Sequence, residues 1–195
     1  MTPLTQVGML VINTLVGLYL LVVILRFLLQ LVRADFYNPI SQFIVKATNP
    51  PLIPLRKVIP GFGGIDIASL TLALLVQIIA IVLILLLNGI QPPPLEVVMW
   101  SAIGIISLVL KVYFWGLLIT VIASWIAPNS YNPALILINQ ILEPAIKPIR
   151  KLKPDMGGID ISPIVVFLLI QVLEILVVKG LAQASGMPSG LVMGI

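Results

Sequence analysis

Residues 37–67 read YNPISQFIVKATNPPLIPLRKVIPGFGGIDI, and residues 131–161 read YNPALILINQILEPAIKPIRKLKPDMGGIDI. The second stretch repeats the landmarks of the first 94 positions later (131 − 37 = 94), with no gap between them. Tyr37-Asn38-Pro39 returns as Tyr131-Asn132-Pro133, and Pro50, Pro54, Arg56 and Lys57 return as Pro144, Pro148, Arg150 and Lys151. Gly63-Gly64-Ile65-Asp66-Ile67 returns as Gly157-Gly158-Ile159-Asp160-Ile161, and further on Gln77 returns as Gln171. Self-similarity at a fixed period marks a duplicated structural unit. Each copy joins two long apolar runs, so the unit is a membrane hairpin.

The composition fits lipid as the solvent. Of 195 residues, 60% are hydrophobic and 9% charged, with a mean hydropathy of +1.20. A soluble domain needs a charged coat that this chain lacks. Cysteine and histidine are absent. That excludes disulfides, zinc–thiolate sites, thiol-attached haem and the usual general base near neutral pH. Neither a cofactor nor a metal is expected. Asp66 and Asp160 have no base, metal set or nucleophile beside them, so the chain does not read as an enzyme. The net charge of +4 lies mostly in two loops. It reads as attraction to anionic headgroups, with too few basic residues to bind nucleic acid directly. Residues 1–25 contain no Lys or Arg, so the first apolar run is expected to be a retained span rather than a cleaved signal.

About 20 apolar residues cross a bilayer. Four stretches qualify, at 7–32, 67–89, 97–126 and 162–182. The run Asn88-Gly89-Ile90-Gln91-Pro92-Pro93-Pro94 breaks helix and separates the copies. The organisation is a first repeat at 1–90, a Pro-rich linker at 91–96 and a second repeat at 97–195. The fold class is an all-α membrane protein with four transmembrane helices. They form two parallel-repeat hairpins, each with a short amphipathic interfacial helix in its loop. One loop holds Arg33, Lys46, Arg56 and Lys57, and the other holds Lys147, Arg150, Lys151 and Lys153. The positive-inside rule then puts both loops in the cytoplasm and both termini in the periplasm.

Asn38-Pro39 and Asn132-Pro133 look like helix starts, with Asn capping and Pro at the first position. Ile40, Phe43, Ile44 and Ala47, and then Leu137, Ile138, Ile141 and Leu142, form one apolar face; Ser41, Gln42, Lys46, Asn139 and Gln140 lie opposite. The helices are expected to end before Pro50 and Pro144, leaving Pro-x-x-x-Pro extended or as a broken turn. Arg56, Lys57, Arg150 and Lys151 are candidates for binding anionic lipid or a protein partner. Gly63, Gly64, Gly157 and Gly158 permit a sharp return. Asp66 and Asp160 then cap the next helix. They are expected to pair with Arg56 and Arg150 as two equivalent clamps.

Five of the polar groups inside spans are candidate intramembrane sites. Arg26 can snorkel to the headgroups. Lys111 and Glu174 sit at nearly equal depth and are expected to pair, since an isolated buried charge is costly. Gly17 and Ala80 hold those positions in the first copy. Gln77 and Gln171 recur in both copies. They are expected to act as helix–helix glue, meeting each other or facing one shared pathway.

The doubled Tyr-Asn-Pro, Pro-x-x-x-Pro-x-Arg-Lys and Gly-Gly-Ile-Asp-Ile pattern resembles the YggT family of bacterial membrane proteins, with YlmG-type and plastid relatives. The second copy carries more of it, with Ser124-Trp125, Glu143-Pro144 and Asp160-Ile161-Ser162-Pro163. The first has Gln30-Leu31 and Ala68-Ser69 instead. Arg26 fits the family's Arg ahead of the Ser-Trp position, where the second copy has Thr120. The resemblance implies a multi-pass bacterial inner-membrane protein, associated with osmotic-stress tolerance and cell division. Plastid members are linked to cytochrome b maturation and nucleoid organisation. Two functions follow as expectations. One is a non-enzymatic assembly or organising factor whose partners are anionic lipids, other membrane proteins and further copies of itself. The other is a small oligomeric channel or transporter for ions or osmolytes.

Overall fold

Long runs of Leu, Ile and Val satisfy every backbone hydrogen bond within one helix, the form a single segment must take in hydrocarbon. The computed structural model describes residues 3–127, 130–151, 161–188 and 190–191. Its elements are α1 (Pro3–Leu31), α2 (Pro39–Val58), α3 (Ile67–Leu87), α4 (Pro94–Ile126), α5 (Pro133–Lys151) and α6 (Ser162–Leu173). A π-helical segment (Glu174–Lys179) carries α6 without a break into α7 (Gly180–Ala184). Four stretches are long and apolar enough to span a bilayer: Pro3–Leu31, Ile67–Leu87, Pro94–Ile126 and Ser162–Ala184. The 33 residues of α4 extend about 50 Å, against a hydrocarbon core of about 30 Å, so α4 tilts or projects beyond it.

α1 packs along α3, α3 along α4, and α4 along α6 and the π segment, so the two hairpins lie side by side. Three apolar clusters hold them. At the loop end, Val23, Ile24 and Leu28 of α1 meet Leu72 of α3, Leu52 of α2 and Ile141 of α5. At the far end, Ile81 and Leu85 of α3 meet Trp100 of α4 and Val178 of the π segment. Leu117, Leu142 and Val166 join α4, α5 and α6. Large apolar side chains also point outward along the spans, such as Leu10, Leu168 and Leu176. Water would make that surface costly; lipid does not.

The loop helices correct one expectation. α2 continues through Pro50, Pro51 and Pro54, and α5 through Pro144 and Pro148, so both reach the Arg-Lys pair in helical form. The reason lies in the spacing. Pro50 and Pro54, like Pro144 and Pro148, are four residues apart and lie on one exposed side. Each proline leaves the carbonyl one turn earlier without its amide donor. The opposite side stays packed through Ser41, Ile44, Thr48 and Leu52 in α2, and through Leu137, Ile141, Leu142 and Ile146 in α5. Phe43 is therefore exposed and Ser41 buried, the reverse of the face read from periodicity. Ser41 tolerates burial because its hydroxyl donates to the Asp35 carbonyl (2.8 Å).

Candidate functional site

The two loops meet at one end of the bundle. The Asn38 side chain accepts from the Ile40 amide and caps α2, while its Nδ2 donates to the Pro133 carbonyl at the start of α5, both at 2.9 Å. The Asp35 amide donates to Gln140 Oε1 (3.1 Å), and Asn132 Oδ1 accepts from the Ala134 amide (2.9 Å). The caps thus start each helix and tie the copies together. The resulting platform presents Lys57, Arg150 and Lys151 to the surroundings.

Arg56 has a different task. It donates to Asp66 at 2.5 Å and to Gln30 Oε1 at 2.9 Å, linking α2 to the start of α3 and the end of α1. Gly63 and Gly64 make the return possible with φ of 61° and 84°, conformations open to glycine. Asp66 is 4% exposed and caps α3, accepting from the Ser69 amide and hydroxyl. Burial alone would raise its carboxyl pKa. The hydrogen bonds from Arg56 and Ser69 and the Arg56 charge outweigh burial, and the carboxyl lies below its ordinary value.

The counterpart of this clamp involves Gly157, Gly158 and Asp160, which lie outside the described residues, so its geometry is not stated. The sequence differs beside it at one described position. Pro163 stands where Ser69 stands in the first copy and has neither hydroxyl nor amide hydrogen to offer a carboxylate.

Two pairs of cavities follow the 94-residue offset. At the loop end, a groove of about 340 Å³ is lined by Arg26, Gln30, Arg33, Ser41 and Val45. Its counterpart, about 410 Å³, is lined by Thr120, Ser124, Ala127, Leu135 and Asn139. Deeper among the spans, a void of about 30 Å³ is lined by Asn13, Val16, Gly17, Gln77 and Ala80. Its counterpart, about 220 Å³, is lined by Leu110, Lys111, Gln171 and Glu174, with Phe114 and Trp115 beside them.

These cavities account for the five intramembrane groups. Arg26 does not snorkel alone: it shares its groove with Arg33, within electrostatic range of Arg56 and Asp66. Lys111 and Glu174 line one cavity and attract each other through space, while Ser107 donates to Glu174 Oε1 (3.3 Å). Gln77 and Gln171 do not meet, and they face no common path. They occupy separate, repeat-related cavities, and the void beside Gln77 is also lined by Gly104 and Leu108 of α4 and by Leu191. Gln77 is buried and Gln171 exposed.

The sequence pattern did not single out Arg33, Gln30 or Ser69 as site residues, and Ser107 not at all. The repeat offset held a signal for Ser107, since it aligns with Asn13, another polar residue inside a span. Ser69 carried no comparable signal; its role depends on where Arg56 lands.

Four spans in two parallel hairpins, with cross-tied helical loops at one end, define a multi-pass membrane protein with an internal repeat. The CCB3/YggT family model matches residues 5–87 and 99–181, two segments that begin 94 positions apart (99 − 5 = 94). The chain belongs to this family. It is 53% identical over 193 residues to the uncharacterized protein PA0392 of Pseudomonas aeruginosa, covering 98% of each chain. It is 41% identical to an uncharacterized protein of Vibrio alginolyticus, covering 82% of this chain and 87% of the relative. It is 38% identical to the uncharacterized protein YggT of Escherichia coli K12, covering 89% of this chain and 90% of the relative. No solved structure matches.

Proposed function

We propose that the protein is a non-enzymatic organising factor of the bacterial inner membrane, serving membrane-protein maturation or tolerance of osmotic stress. The observation that carries this reading is the platform. Each repeat spends its loop on an amphipathic helix, the two helices are hydrogen-bonded to each other's copy, and Lys57, Arg150 and Lys151 stand exposed at their ends. A rigid cationic surface joined to four spans suits docking to anionic lipid and to the loops of other membrane proteins, each basic residue adding about 1 kcal/mol at an anionic surface. By the positive-inside rule the platform faces the cytoplasm and the termini face the periplasm.

The test leaves Arg56 in place, because it is committed to the clamp. Crosslinking from native membranes should recover partners with the wild-type chain and far fewer with Lys57→Gln and Lys151→Gln combined. Unchanged recovery would refute the docking role. Reporter fusions that put the two loop helices on opposite faces would refute the orientation.

A second reading is favoured by one specific observation. The Lys111–Glu174 cavity abuts a π-helical segment that begins at Glu174, and such segments recur at functional sites. As a small oligomeric channel or transporter, the protein would carry an ion or zwitterionic osmolyte past these charges. Flux into reconstituted vesicles that is lost in Glu174→Gln would support transport, and absence of flux in the wild type would end this reading.

A further inference from the structure

The platform reading does not use the groove between the end of α1 and the start of α2, whose lining has the chemistry of an anion site. Arg26 and Arg33 both line it, and no carboxylate does. The nearest acidic groups are occupied elsewhere. Asp66 is held by Arg56 and Ser69, and the Asp35 side chain accepts from the Tyr37 amide (2.9 Å). Among the described residues, neither arginine forms an ion pair with a carboxylate. The Nε–H of Arg26 is inaccessible and has no acceptor there. Arg56 adds through-space repulsion to Arg26, which the Asp66 charge opposes without contacting it. Two cations gathered this way, Arg26 partly buried and Arg33 exposed at the groove, favour a negative group between them.

Arg33 adds an independent observation. Its φ is 53°, the single non-glycine residue with positive φ among the described residues. The Ala34 amide donates to the Leu29 carbonyl (2.9 Å), which makes this a helix C-terminus of the type that favours glycine at the position of Arg33. The backbone therefore carries an arginine where glycine suits it better, and the turn brings that guanidinium to the groove of Arg26.

The second repeat serves as an internal control. Its matching groove has Thr120 and Ala127 at these two positions, and Ala127 has an ordinary φ of −139°. The fold therefore builds this groove without cations, and the arginines of the first copy are additional to it.

We propose that this groove binds a phosphate group, and that its occupant is the headgroup of an anionic phospholipid. Guanidinium pairs match phosphate oxygens in planar, bidentate geometry. The apolar side of the groove points to lipid rather than a free ion. Leu29 and Val45 line it, and Phe36 at its rim is 59% exposed. An acyl chain can follow α1, whose outer face is apolar.

The experiment uses the full-length chain in detergent, with phosphatidylglycerol and phosphatidylcholine as probes and native mass spectrometry counting retained lipid. Phosphatidylglycerol should be retained over phosphatidylcholine. Arg26→Gln with Arg33→Gln should weaken retention by about fivefold per cation removed. Arg33→Gly keeps the turn and should fold at least as well as wild type, yet still lose about fivefold. Arg26→Lys should keep more affinity than Arg26→Gln. Displacement of the lipid by millimolar inorganic phosphate would support phosphate recognition. Phosphate binding without lipid preference would overturn the lipid assignment. Retention of phosphatidylglycerol by Arg33→Gly and by the folded double variant at the wild-type level would overturn the site, as would its loss from Lys57→Gln with Lys151→Gln instead.

Discussion

The first and second repeats share a plan but charge their cavities at opposite ends. In the first copy, cations gather at the loop end in Arg26, Arg33 and the Arg56–Asp66 clamp, while Asn13, Gly17, Gln77 and Ala80 leave the deep cavity uncharged. In the second, Thr120, Ser124 and Asn139 line the loop-end groove, and the charges move deep to Lys111 and Glu174. The helical path responds as well. α3 runs regularly past Ala80, whereas the matching helix turns π-helical at Glu174. Duplication supplied two equal frames, and the Arg26–Arg33 groove and the Lys111–Glu174 cavity each have an uncharged counterpart in the other copy. The charges are thus better read as the separate equipment of each half than as structural necessities of the hairpin.

The clamp is where this comparison breaks most readily. Asp66→Asn should destabilise the chain by about 1–3 kcal/mol, below the usual cost of breaking a buried pair because Arg56 is about one-third exposed. Unfolding in mixed micelles, followed by helical circular dichroism, measures it. The pH dependence has a defined sign. The Asp66 carboxyl is lowered on folding from 3.8, so its contribution is fully present above that value and is lost as pH falls through the folded value. Wild type should lose this component only in strong acid, and Asp66→Asn should lack it. An unaltered acid transition in the variant would separate the clamp from stability.

The deep cavities give a smaller effect. Lys111→Ala and Glu174→Ala should each destabilise, and the double variant should cost about 1 kcal/mol less than their sum, because removing both leaves no lone charge. Strict additivity in a double-mutant cycle would show that the two charges act independently.

The glutamines should show the smallest contrast. Gln77→Ala should cost about 0.6 kcal/mol or somewhat more, and Gln171→Ala less, because Gln77 is 6% exposed and Gln171 is at the surface. Equal costs would mean that the two environments are alike.

Much of this was legible before folding. The spans showed in hydropathy, the hairpins in the offset, and the Arg56–Asp66 partnership in two charged motifs that the Gly63-Gly64 return had to bring together. The continuity of α2 and α5 was not. A local rule ends helices before proline, and packing of Leu52 and Ile146 against the bundle overrode it. The pairing of Arg26 with Arg33 in one groove was hidden for a similar reason. Arg33 read as one loop cation among several, and its aim depends on a backbone angle that only the end of α1 reveals.

By itself, the sequence determined the solvent, the four crossings and the twofold plan, because these depend on transfer energies and period, which are properties of the chain alone. Tertiary structure decided which charges share a cavity, which glutamine is buried and what Arg56 holds besides Asp66. Those outcomes depend on how helices distant in sequence are rotated against one another, and no local pattern encodes that rotation.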